Sequence, residues 1–136
     1  MNYFTLIYLG IFSLIISVLS FFNIVYSYYF NLYLNLDTYI YSLFISLFLG
    51  LFFLTKKKNE FKTTIYTKII AVLIGYVILP LIISIPFYLS IYNITFLDSY
   101  FEAISGFTST GFTIFDNIKH LDESLILWRS SSQWIG

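Results

Sequence analysis

Residues 106–113 read "GFTSTGFT", and the reading given to this stretch decides the fold of the chain around it. Gly106 and Gly111 enclose Thr108, Ser109 and Thr110, and a further hydroxyl follows at Thr113. The spacing first suggests a phosphate loop, G-x-x-x-x-G-K-[ST]. Phe112, however, occupies the lysine position. A phosphate loop also follows a strand and opens a helix, whereas a short helical pattern precedes this one. Nucleotide binding is therefore excluded. Two readings remain: a polar extracellular turn that holds no ion, and a re-entrant loop whose backbone binds a cation.

The surroundings of the loop are those of a membrane protein. Of the 136 residues, 59% are hydrophobic and 10% charged, against about 25% charged in an ordinary soluble domain. Mean hydropathy is +0.85. The formal net charge of +0 offers nothing to nucleic acid. The lack of Cys removes disulfides, thiolate metal sites and cysteine nucleophiles. With a single His and no paired intramembrane carboxylates, the chain is not expected to be an enzyme. No basic residue precedes Lys56 and the first apolar run is long, so that run reads as a retained membrane helix rather than a cleaved signal.

Charge is absent from residues 1–36, 38–55 and 69–97. About 20 apolar residues cross a hydrocarbon core of roughly 30 Å as a helix. Helices are accordingly expected over 3–22, 39–54 and 69–91, which makes 1–55 a pair of leading transmembrane helices. A barrel would need many segments of two-residue alternation. Tyr26, Tyr28, Tyr29, Tyr33, Tyr39 and Tyr41 gather between the first two helices as an interfacial aromatic belt. Residues 56–68 form a basic loop with Lys56, Lys57, Lys58, Lys62 and Lys68, while the first loop holds no Lys or Arg. The positive-inside rule places the basic loop, and with it the amino terminus, in the cytoplasm. Contact with lipid headgroups is a second role open to these lysines. Pro80 and Pro86 predict a kink in the third helix or, at Pro86, its end.

After Asn93 the pattern changes. Residues 99–106 read as a helix of about two turns, too short to cross a bilayer. Ser99 with Glu102 fits a capping box, and Gly106 is expected to break the helix. The loop occupies 108–113, a polar connection follows with Asp116, Lys119 and His120, and a last helix spans 122–136. From 125 to 136 there are 12 residues, about 18 Å of helix. That is short of the core, so the chain is expected to be a fragment of a longer protein or a truncated reading frame.

An outward helix, a short helix, a hydroxyl–glycine segment and an inward helix together make a helix–pore loop–helix unit. Irregular backbone at membrane depth is tolerated where it is buried in protein or lines water. A cation path uses the exposed carbonyls in place of the ion's hydration shell. Gly111 can take the positive φ that such a path requires, and the small residues at 108–110 leave room. The carboxyl end of the short helix adds a partial negative charge of roughly half an electron.

The segments "NITFLDSYFEAISGFTSTGFT", residues 93–113, and "LWRSSSQWIG", residues 127–136, resemble the first pore repeat of Trk-type potassium uptake proteins. The family pattern is F-E-[AS]-x-S-G-x-T-T-T-G followed by W-R-x-x-x-Q-W-x-G-G, and two helices ahead of the repeat are typical of the TrkH-like branch of the Trk/Ktr/HKT superfamily. The resemblance implies an all-α integral membrane fold with 69–136 as the first repeat. It implies four such units around one pore in the cytoplasmic (inner) membrane, with K⁺ as the transported ion and no organic cofactor. It further implies a homodimer and a cytosolic ring of nucleotide-binding regulatory subunits. Carried over by position, Thr108, Ser109, Thr110, Gly111 and Phe112 form the first filter segment, and Ser109 and Thr110 contact K⁺ mainly through carbonyls. Ser109 stands where Thr is usual, and Phe112 where a small residue is common.

Glu102 is expected to hold the pore helix, against Arg129, or to add negative potential; simple capping is the alternative. Asp98, Asp116, Asp122 and Glu123 are expected outside, as caps and solvated loop residues or as a weak cation attractor. His120 is read as a solvated loop residue. One filter segment is a quarter of a ring, so the chain alone is not expected to conduct unless it tetramerises. The competing function is a non-conducting membrane partner or a degenerate membrane protein.

Overall fold

A computed structural model describes residues 3–55 and 64–136. Five α-helices follow one another: α1 (Tyr3–Tyr29), α2 (Leu36–Leu54), α3 (Ile65–Tyr88), α4 (Phe96–Phe107) and α5 (Glu123–Gln133), with a 3₁₀ turn at Ile118–His120. No strand occurs among the described residues. α1, α2 and α3 are each long and apolar enough to cross a membrane. The protein is an all-α integral membrane protein.

The chain is built for lipid rather than water, as its two kinds of surface show. Phe21, Phe22, Phe44, Phe48, Leu73 and Val77 point outward. Ser13, Ser20, Asn23, Ser42 and Ser46 are buried between helices. In lipid, helices gain little from burying apolar surface, so small residues and hydroxyls hold them together. Ser20 Oγ lies 3.2 Å from Ser42 Oγ across the α1–α2 interface. There Gly10 and Gly50 bring the two backbones into contact: a Cβ on either would sit 3.2 Å from the other's carbonyl oxygen. α1 packs against α2, α3 and α5, and α4 lies on α3. Leu9, Ile16, Leu79, Ile83, Phe87, Phe107, Leu125 and Trp128 form the apolar centre.

Several boundaries differ from those expected. α1 runs to Tyr29, past residue 22, because nothing in its last turns breaks it. Tyr26, Tyr28 and Tyr29 therefore lie on the helix and not in a loop. The turn comes where Asn31 takes φ 57°. α3 starts at Ile65, where the Thr64 hydroxyl accepts from Thr67 N–H, so Lys68 is helical. The expectation for Lys56, Lys57, Lys58 and Lys62 lies outside the described residues.

Pro86 does not end α3, which continues through Pro80 and Pro86 to Tyr88. Neighbouring donors serve carbonyls one turn before each proline. Tyr100 Oη donates to the Val77 carbonyl at 2.9 Å, and Trp128 Nε1 donates to the Ile83 carbonyl at 3.0 Å. The carbonyls that Pro80 and Pro86 themselves release are those of Tyr76 and Ile82, four residues before each, so these two bonds fasten α4 and α5 to α3 beside the prolines rather than replace the missing ones.

Candidate functional site

The loop is reached through α4, whose start differs from the expected one. The N-cap is Thr95, not Asp98 or Ser99: its hydroxyl accepts from Asp98 N–H at 3.2 Å. Ser99 Oγ instead donates back to the Thr95 carbonyl at 2.9 Å. Glu102 is thereby released from capping, one turn further into the helix. Gly106 does not break α4, which continues to Phe107. Its lack of a side chain serves packing, since a Cβ there would run into Ser132 Oγ on α5.

Beyond Phe107 the chain leaves helical geometry in two left-handed steps, Ser109 at φ 54° and Gly111 at φ 80°. The second suits glycine, whereas the first is unusual for a residue with a Cβ. Hydrogen bonds fold the hydroxyls of the loop back onto protein. Thr108 Oγ1 donates to the Ile104 carbonyl at 2.7 Å. Thr110 Oγ1 lies 3.2 Å from Ser105 Oγ and 3.4 Å from the Ser105 carbonyl. Ser109 Oγ donates to the Gln133 carbonyl at 3.3 Å.

The carbonyls divide differently. Those of Gly111 and Phe112 accept from Arg129 Nη2, at 3.4 and 2.9 Å. Phe112 O also accepts from Ser105 Oγ at 2.5 Å. The carbonyls of Thr108, Ser109 and Thr110 accept no hydrogen bond from the described residues. Ser109 and Thr110 are exposed and Thr108 is half-buried.

A buried ion pair holds the far side of the loop. Glu102 is wholly buried, and its Oε2 accepts from Arg129 Nε at 2.8 Å. Its Oε1 accepts from Thr113 Oγ1 and from the Ile114 N–H, both at 2.6 Å. α4, α5 and the returning limb of the loop thus meet on one carboxylate. Removing two charges from water is costly unless further hydrogen bonds reach the pair; here both Glu102 oxygens accept, and Arg129 Nε and Nη2 both donate. The 69% exposed ring of Phe112 projects from the loop while its carbonyl is tied down.

Asp122 bonds to groups outside this pair. Asp122 precedes α5, and its Oδ2 accepts from Ser124 Oγ at 2.6 Å and from Asn35 Nδ2 at 2.9 Å. Asn35, buried before α2, also accepts from the Ile91 N–H at 3.2 Å through Oδ1. The sequence assigns no role to Asn35, and marks Ser105 only as the fixed serine of the family pattern. Asn35 acts through partners 56 and 87 residues away, which no local pattern brings together. Among the described residues no three His, Cys, Asp or Glu side chains converge on a metal position.

No family model matches the chain. Over 82 residues, 60% of the chain, it is 37% identical to an uncharacterized cation transporter of Methanocaldococcus jannaschii, of which the match covers 17%. Over 83 residues it is 30% identical to the Trk system potassium uptake protein TrkG of Escherichia coli, again covering 17% of the relative. A third match, to the Trk system potassium uptake protein TrkI of Halomonas elongata, is 38% identical over 53 residues and covers 11% of that protein. The chain thus spans less than a fifth of the length of these curated relatives.

Proposed function

From homology to Trk potassium uptake proteins over 60% of the chain, we infer that residues 108–112 form one of four filter segments of a potassium uptake protein. The observation that carries this reading is the division of oxygens in the loop. Hydroxyls and the outer carbonyls are bonded to protein, while the carbonyls of Thr108, Ser109 and Thr110 accept no hydrogen bond from the described residues. Carbonyls in this state suit an alkali cation shedding its water. Ser109 and Thr110 are the K⁺-contacting positions, with Thr108 beside them. Gly111 supplies the turn, and Phe112 flanks the mouth through its ring rather than its carbonyl. Glu102 and Arg129 brace the loop from behind.

In this reading the protein moves K⁺ inward by passage through the filter, without covalent chemistry. Three further segments complete the ring, and the greater length of the relatives leaves room for them. The Lys56 to Lys68 region faces the cytoplasm of a cell whose inner membrane holds the protein. By resemblance, the full protein is a dimer that docks a cytosolic nucleotide-binding ring. The competing reading, a non-conducting membrane partner, predicts no further hydroxyl–glycine pore segment in the adjoining coding sequence.

The test is growth of a K⁺-uptake-deficient strain carrying the full-length frame. Gly111→Asp places a side chain and a charge where φ is 80° and is expected to abolish growth at low K⁺. Growth equal to wild type would overturn the filter assignment.

A further inference from the structure

Ser105 lies on the last turn of α4, is 3% exposed, and touches both limbs of the loop. Its Oγ donates to the Phe112 carbonyl at 2.5 Å, beyond Gly111. The same Oγ faces Thr110 Oγ1 at 3.2 Å, before Gly111. Its carbonyl accepts from the Thr110 N–H at 3.1 Å. A hydroxyl has one proton to give and lone pairs to accept with, and here both capacities are used. We propose that Ser105 is a positioning residue of the filter, a buried staple that fixes the spacing of Thr110 and Phe112 and so the direction of the Thr110 carbonyl.

The proposal rests on residues 108–110 being the filter, and it adds a residue that acts through others. The Glu102–Arg129 pair, one residue from α4 and one from α5, holds the limb after Gly111 by way of Phe112, Thr113 and Ile114. Ser105 alone reaches Thr110 from α4. Without its hydroxyl, Phe112 O keeps Arg129 while Thr110 Oγ1 loses a partner. The loop then stays in place but loosens on the limb whose carbonyl is free.

The experiment compares Ser105→Ala and Ser105→Thr in the full protein. Amide exchange over residues 106–114 in detergent reads the staple directly. The ratio of K⁺ to Na⁺ uptake in cells reads its consequence. Ser105→Ala is expected to speed exchange in this segment while α1 and α2 stay unchanged. It is also expected to lower the K⁺/Na⁺ ratio about three- to tenfold, the range one lost hydrogen bond gives. Ser105→Thr, which keeps the hydroxyl, is expected to restore both. Unchanged exchange in Ser105→Ala would overturn the staple. Faster exchange with an unchanged ion ratio would leave the staple standing and remove the filter reading beneath it.

Discussion

At the scale of single residues, the site turns on groups whose partners lie far along the chain. Glu102 takes its hydrogen bonds from Thr113, Ile114 and Arg129. Breaking a buried pair leaves an uncompensated charge and costs about 3–5 kcal/mol. Glu102→Gln is therefore expected to lower the thermal midpoint in detergent sharply. Adding Arg129→Gln should recover part of the loss, because no lone charge remains. If the two losses simply add, the residues are uncoupled. Gly111 makes a gentler test. A Cβ there meets nothing within 4 Å, so Gly111→Ala is opposed by backbone geometry alone. A loss of roughly 1–2 kcal/mol is expected from that source, read as a modest fall in midpoint. The need for a positive φ at Gly111 was legible in the sequence. The positive φ of Ser109 was not, since no residue type announces it.

At the scale of elements, hydropathy located the three long helices well and their ends poorly. The ends depend on caps, and two overlapping patterns competed at α4. Thr95 with Asp98 and Ser99 with Glu102 both read as a hydroxyl three residues before an acid. The first is the cap, because Glu102 is drawn to Arg129 instead. The prolines of α3 are similar: their positions are visible in the sequence, but the side chains that bond to α3 beside them come from α4 and α5. Trp128→Phe keeps most of the buried ring and removes the bond to the Ile83 carbonyl. It is expected to cost about 1 kcal/mol, measured as a lower unfolding midpoint with helicity retained.

At the scale of the whole molecule, Asn35 ties the leading helices to the pore unit. One side chain joins the start of α2, the loop after α3 and the start of α5. Asn35→Ala strands the Ile91 N–H and one Asp122 contact, and a loss of about 1–3 kcal/mol is expected, read as earlier thermal aggregation in detergent. The orientation proposed above has a direct check, because the chain contains no Cys. Lys57→Cys should react with an impermeant maleimide only after the cells are opened, and Asn93→Cys in intact cells. The reverse pattern would invert the topology. α1 and α2, finally, touch backbone to backbone at Gly10 and Gly50. A ribosome delivers both before α3, and the contact between the two glycines involves no atom of the later helices. The hairpin can therefore close in the bilayer while the rest of the chain is being synthesised, so that α3 meets a finished wall when it inserts.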